Sequence, residues 1–258
     1  MRRFVTLMLA LVLALTGCQA SAPQVDAAVA HLRAEVVGTL AHDTSAFTEG
    51  LEISGGLLYE STGLAGRSQL RVGPPGEPPT QAVDLPSPLF GEGVTVLGPT
   101  LWQLTWQDGF AIERDARTLA EVRRVPFEGE GWGLCHQPGR LVMSNGSDRL
   151  TFRDPATFAA LGDVTVHDGQ RTFTRLNELE CVGGDVYANV WQTDTILRID
   201  AATGAVTAQI DASGLLTPAQ AGQADVLNGI AAVPGTDEFL ITGKWWPTLF
   251  RVKFVRTS

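Results

Sequence analysis

Five times along the chain, a glycine or an acid followed by an aliphatic residue opens an apolar run: Gly50-Leu51, Gly93-Val94, Gly133-Leu134, Glu178-Leu179 and Gly229-Ile230. The intervals between these pairs are 43, 40, 45 and 51 residues. Each pair is followed by a turn and a second apolar segment, namely LLYES (57–61), TLWQLTW (100–106), RLVMSNG (140–146), DVYANVW (185–191) and EFLITGK (238–244). A third segment follows in every unit: QLRV, FAIER, LTFRD, ILRID and LFRVKF. Three of these run into the same turn, Asp115-x-x-Thr118, Asp154-x-x-Thr157 and Asp200-x-x-Thr203, in which the aspartate side chain can hold the turn amides. A fourth segment, such as EVRRVPF or VTAQIDA, completes most units. Five units of this period with four short strands each predict an all-β fold, a five-bladed β-propeller. The last unit stops after its third strand, at Phe254. The segment Glu35–Leu40, EVVGTL, stands before FTEGL as EVRRVPF stands before GWGL. The N-terminal strand is therefore expected to complete the last blade and close the ring, which hides two sheet edges.

Composition agrees with short strands and tight turns: 28 glycines and 14 prolines, with no long stretch of helical periodicity. A net charge of −9 excludes nucleic acid as a partner, because phosphate binding needs a basic surface. At the N-terminus, Arg2 and Arg3 precede an apolar stretch, Phe4 to Leu15, that is too short for an ordinary spanning helix. Leu15-Thr16-Gly17-Cys18 then resembles the bacterial lipoprotein signal, the alternative being an ordinary secretory signal with a chance cysteine. The expectation is a signal peptide over residues 1–17, lipidation at Cys18, a tether over 18–33 and the propeller domain over 34–258. The protein would be exported and held at the extracytoplasmic face of the cell envelope, touching membrane through its lipid anchor only. Exported proteins often form disulfides, but aligning the repeats puts Cys135 and Cys181 on strands of opposite side-chain parity, so two buried free thiols are expected. The four histidines show no metal-ligand spacing among themselves or with the cysteines, and no metal site is expected.

In a propeller the first strand of each blade lines the central channel and the second runs antiparallel to it. Starts of first strands and ends of second strands therefore meet at one mouth. Starts supply Phe47, Glu49, Phe90, Glu92, Trp132, Asn177 and Asn228, and ends supply Trp106, Trp191 and Lys244. Three of the six tryptophans, the odd carboxylates and a lysine thus converge on one rim. Other residues have plainer roles. Tyr59, Tyr187 and Trp102 sit at mid-strand core positions. Glu178 and Glu180 alternate with Asn177 and are expected to make structural hydrogen bonds. Trp245 and Trp246, ahead of Pro247, are expected to pack a turn.

The blocks HDTSAFTEGL, YESTGLAGRSQLR, FGEGVTVLG, GWGL, RLNELE, NVWQTD, DVLNGIA and TGKWWP, in this order, resemble the plant and bacterial glutaminyl-peptide cyclotransferases, or glutaminyl cyclases. The resemblance runs from about His42 to Phe254 and implies a five-bladed propeller. It also implies conversion of N-terminal glutaminyl peptides to pyroglutamyl peptides with release of ammonia, without cofactor or metal. Glu92 of FGEG matches the family's catalytic glutamate, with the role of general base and acid. Asn177 and Lys244 match positions that hold the substrate, and Phe47, Phe90, Trp106, Trp132 and Trp191 would form the walls. Glu49 departs from the plant pattern FTQG and places a second acid near Glu92. The implied partners are peptides or proteins beginning with glutamine, and a monomer is expected. Two alternatives remain: a calcium-dependent propeller lactonase or esterase using Glu92, Asn177 and Asn228, and a non-catalytic peptide-binding lipoprotein.

Overall fold

The computed structural model describes residues 28–257, so the expected signal peptide and Cys18 lie outside the described residues. Among the described residues the regular structure is almost all strand. One four-stranded sheet holds β2 (Thr48–Ser54), β3 (Leu57–Thr62), β4 (Gln69–Gly73) and β5 (Gln81–Asp84). A second holds β6 (Gly91–Leu97), β7 (Thr100–Thr105), β8 (Phe110–Asp115) and β9 (Glu121–Pro126). A third holds β10 (Leu134–Gln137), β11 (Arg140–Met143), β12 (Arg149–Arg153) and β13 (Ala160–Thr165). The remaining strands form one sheet of eight: β14 (Leu176–Val182), β15 (Asp185–Val190), β16 (Thr195–Asp200), β17 (Val206–Asp211), β1 (Ala30–Ala41), β20 (Thr248–Arg256), β19 (Glu238–Gly243) and β18 (Leu227–Ala232), in that spatial order. A single helical turn, α1 (Pro218–Ala221), is capped by Thr217.

The five aliphatic residues that mark the repeat fall on β2, β6, β10, β14 and β18, the first strand of each unit. These strands pack side by side in a cycle, β2 on β6, β6 on β10, β10 on β14, β14 on β18 and β18 back on β2. The apolar core lies between successive units. Trp102 and Leu104 of one sheet meet Leu134, Leu141 and Met143 of the next, and a last cluster of Leu51, Leu58, Ala231 and Leu249 joins β18–β20 to the first sheet.

Local chemistry explains the shared turns. Asp115, Asp154 and Asp200 each accept two backbone amides and a threonine hydroxyl through Oδ1, with the tightest amide at 2.7, 2.7 and 2.9 Å. The residue four places on is left-handed in all three, at Leu119 (φ 58°), Phe158 (φ 61°) and Gly204 (φ 78°). That backbone costs a leucine or phenylalanine about 1–2 kcal/mol. Full burial of the same side chain returns about 1.5–3 kcal/mol, and Leu119 and Phe158 are both fully enclosed between sheets.

Two expectations are corrected. The N-terminal strand does pair antiparallel with β20, from Leu32↔Arg256 to Ala41↔Thr248, but it begins at Ala30 rather than Glu35. Ala30–Arg33, assigned from sequence to the tether, pair in parallel with β17, and this joins two units into one sheet of eight. Cys135 and Cys181 are not free thiols but form a disulfide, with Cα atoms 5.5 Å apart. Opposite parity excludes bonding on one face of one sheet. Between neighbouring sheets of a cycle, however, the faces that meet are opposite faces, and opposite parity is what brings the two sulfurs together.

Candidate functional site

The polar residues of the rim share a local cause. The ladder between first and second strands slips between Thr48 and Gly50, between Gly91 and Val94, between Leu176 and Leu179, and between Leu227 and Ile230. Glu49, Glu92, Asn177 and Asn228 all lie within these irregularities. A bulge leaves a residue unpaired and re-aims its side chain, which is how four strands buried on both faces can each present a polar group at one end. The glycines after the two glutamates permit this crowding. A Cβ on Gly50 would lie 2.6 Å from the Val94 amide nitrogen, and one on Gly93 would lie 2.5 Å from that of Leu134.

The three residues from second strands follow β7, β15 and β19 directly. After Trp191 and Lys244 the chain turns through left-handed residues, Gln192 (φ 63°) and Trp245 (φ 61°). Phe47, Glu49, Phe90, Glu92, Trp106, Trp132, Asn177, Trp191 and Lys244 together line one cavity of about 230 Å³. All nine binding and catalytic candidates chosen from sequence are thus brought together. A larger groove of about 310 Å³ runs beside His42, Glu60 and Arg71. Four of its charged or titratable groups pair with one another, His42 Nε2 lying 3.0 Å from Glu60 and Arg71 Nη1 2.8 Å from Asp43.

Inside the cavity, Glu92 is 5% exposed and its Oε2 has no hydrogen-bond partner. Asn177, 3% exposed, likewise leaves Oδ1 unpartnered. Lys244 Nζ donates to Glu49 Oε1 at 2.7 Å and lies 4.4 Å from the centre of the Phe47 ring. Asn228 Nδ2 donates to Glu49 Oε2 at 3.1 Å and to the Thr48 carbonyl at 3.0 Å. Burial pushes the Glu92 carboxyl well above the usual range, and the charge of Glu49 adds to this against the smaller opposing pull of Lys244. Burial also raises Glu49, to about 7, in spite of its lysine.

Residues given plainer roles keep them, with one exception. Glu178 accepts the amides of Ile230 (2.7 Å) and Leu51 (3.2 Å), tying three first strands together. Trp102 is fully buried, and Trp246 donates to the Asp225 carbonyl at 2.8 Å. Trp245 does not line the cavity, but its ring meets Phe47 edge-on at 5.0 Å and so backs one of the lining rings.

Sequence reasoning missed Glu130. Its Oε2 accepts the indole N–H of both Trp106 and Trp132, each at 2.9 Å, and its Oε1 accepts Gln107 Nε2 at 2.7 Å. The only hint in the sequence was its place two residues before Trp132. Among the described residues, no group of three or more His, Cys, Asp or Glu side chains is placed to hold a metal ion. For the calcium alternative, built on Glu92, Asn177 and Asn228, the Lys244 ammonium lines the same cavity as Glu92 and Asn177.

An all-β protein with one unpartnered buried acid in an aromatic cup is built for proton transfer on a small polar group gripped by apolar walls. The comparisons name the family. The chain matches the glutamine cyclotransferase family over residues 8–254 and belongs to it. It is 37% identical over 233 residues to the glutaminyl-peptide cyclotransferase of Arabidopsis thaliana, covering 87% of this chain and 72% of that protein. The crystal structure of Myxococcus xanthus glutaminyl cyclase superposes with a TM-score of 0.82 at 39% identity, over 89% of this chain and 100% of that one.

Proposed function

We propose that the protein is a glutaminyl-peptide cyclotransferase: it closes an N-terminal glutaminyl residue into pyroglutamyl and releases ammonia. The observation that carries this is Glu92, whose free Oε2 lies in a cavity walled by five aromatic residues and flanked by Asn177 and Lys244. The α-amine nitrogen attacks the side-chain amide carbon, a C–N bond forms, and the amide C–N bond then breaks. The amine must lose a proton and the departing nitrogen must gain one. Glu92 takes the first and returns it to the second. An α-ammonium has a pKa of about 7.7–8.0, and burial, by raising the Glu92 carboxyl above its ordinary range, narrows the gap between the two. Asn177 and Lys244 flank the position where the amide oxygen gains charge, and their donors stabilise it there. The aromatic walls hold the aliphatic part of glutamine bent, and because the attack is intramolecular this alignment carries much of the rate.

We read the four sheets as five blades of a β-propeller, with the eight-stranded sheet counted as two blades stitched by β1. The cycle of first strands and the core clusters between successive units support that reading. We also propose export with a lipid anchor at Cys18, for which the Cys135–Cys181 disulfide speaks, since such bonds persist in oxidising compartments. Radiolabelled palmitate should label the wild type and not C18A. For the reaction, ammonia release from a glutaminyl dipeptide is the test, with the N-acetylated dipeptide as control. Turnover of the acetylated substrate, or none of the free one, would overturn the assignment.

A further inference from the structure

We propose that Glu130 is a positioning residue of the cup: one carboxylate that fastens two indoles and makes the aromatic wall continuous. The proposal rests on the cyclotransferase reading for its kinetic consequence and on geometry alone for the fastening. The rings of the cup, together with their neighbour Trp245, form two separate chains of contact. Trp245 meets Phe47 at 5.0 Å, Phe47 meets Phe90 at 6.2 Å and Phe90 meets Trp106 at 5.5 Å. On the other side, Trp132 meets Trp191 at 5.6 Å. The two chains are joined between Trp106 and Trp132 not through their rings but through Glu130 Oε2, which takes both indole hydrogens.

Trp106 follows β7 and Trp132 precedes β10, so the clamp spans two sheets. A backbone hydrogen bond from Gly131 N to the Trp106 carbonyl (2.9 Å) docks the segment carrying Glu130 against the first tryptophan. The chemistry requires an acceptor with two lone pairs on one oxygen, because an indole offers one donor and no acceptor. Gln107 holds the other oxygen and fixes the carboxylate plane. The three side-chain donors outweigh the opposing effect of burial and keep the Glu130 carboxyl below its ordinary value, so the clamp carries charge at neutral pH. Trp106 is 37% exposed, and its ring is held at the mouth by the Phe90 contact and by this hydrogen bond.

Two variants separate clamp from charge. Glu130→Gln removes the charge and keeps an oxygen that can accept both indoles, whereas Glu130→Ala removes both. E130A should lose about 5- to 100-fold in kcat/KM, the scale of a mispositioned wall. E130Q should lose clearly less kcat/KM than E130A, and its acid limb should move to lower pH because the Glu130 charge no longer raises Glu92. In ¹H–¹⁵N spectra, two of the six indole N–H signals should shift in E130A and exchange faster with water, and should stay protected in E130Q. Wild-type turnover in E130A, an equal loss in E130Q, or unmoved indole signals would each overturn the proposal. Should E130A fail to fold, E130Q decides on its own, since loss of protection at those two signals would refute the clamp. If the wild type released no ammonia, the reading of the reaction would fall and the indole spectra would still decide the clamp.

Discussion

Lys244 Nζ lies 2.7 Å from Glu49 Oε1, a buried ion pair that shares its cavity with the unpartnered Glu92. The second acid, where the plant pattern has glutamine, is therefore occupied by the lysine. Its charge nevertheless reaches Glu92.

Replacing Glu49 by glutamine removes a negative charge that raises Glu92 and frees Lys244, which lowers it. Glu130 is the remaining acid that acts on Glu92. In E49Q the acid limb of the kcat/KM profile should move to lower pH, because the base ionises earlier. Activity at neutral pH should stay within about tenfold of wild type, since the attacking machinery is intact. A limb that stays put or moves upward would show that Glu49 does not act on Glu92.

Glu92→Gln should cut kcat by about 100- to 10,000-fold, the usual loss for a general acid–base. Stability should change in the opposite sense. The folded protein holds the Glu92 proton more tightly than the unfolded chain does, so this group's contribution is complete below its ordinary range and is lost as pH rises through the raised value. Thermal melting across pH should show E92Q gaining on wild type as the solution becomes more alkaline.

Lys244→Met leaves Glu49 buried without its counter-charge and should cost about 3–5 kcal/mol, the scale for breaking a buried pair from one side. Adding E49Q should recover part of that loss. Urea unfolding of the two single variants and the double variant measures the coupling directly.

The Cys135–Cys181 bridge closes a sequence separation of 46 residues across two sheets. Replacing both cysteines by alanine should lower stability by about 2–4 kcal/mol. Its effect on kcat/KM should be small, because neither residue lines the cup. Urea midpoints with and without reductant should converge once the bridge is absent.

Much of the site was legible because it depends on position along a repeat. Strand starts and ends fix which mouth a residue faces, and this alone selected Phe47, Phe90, Trp106, Trp132 and Trp191. The same alternation failed for Cys135 and Cys181, because parity within a sheet says nothing of which faces meet between sheets. It was silent on Glu130, whose role needs two indoles brought from different sheets to one oxygen. Nor does any local pattern mark the four bulges that turn Glu49, Glu92, Asn177 and Asn228 toward the rim.

By itself the sequence determined the all-β class, the order of strands within each repeat, the shared aspartate turns and the nine residues that line the cavity. These follow from alternation and turn chemistry, which act between residues a few places apart. Only the tertiary structure decided which sulfurs bond, which acid pairs with Lys244, that β1 reaches on to β17, and which carboxylate clamps the wall. Those outcomes turn on distances of a few ångströms between segments from different sheets, and packing sets such distances only after the strands have come together.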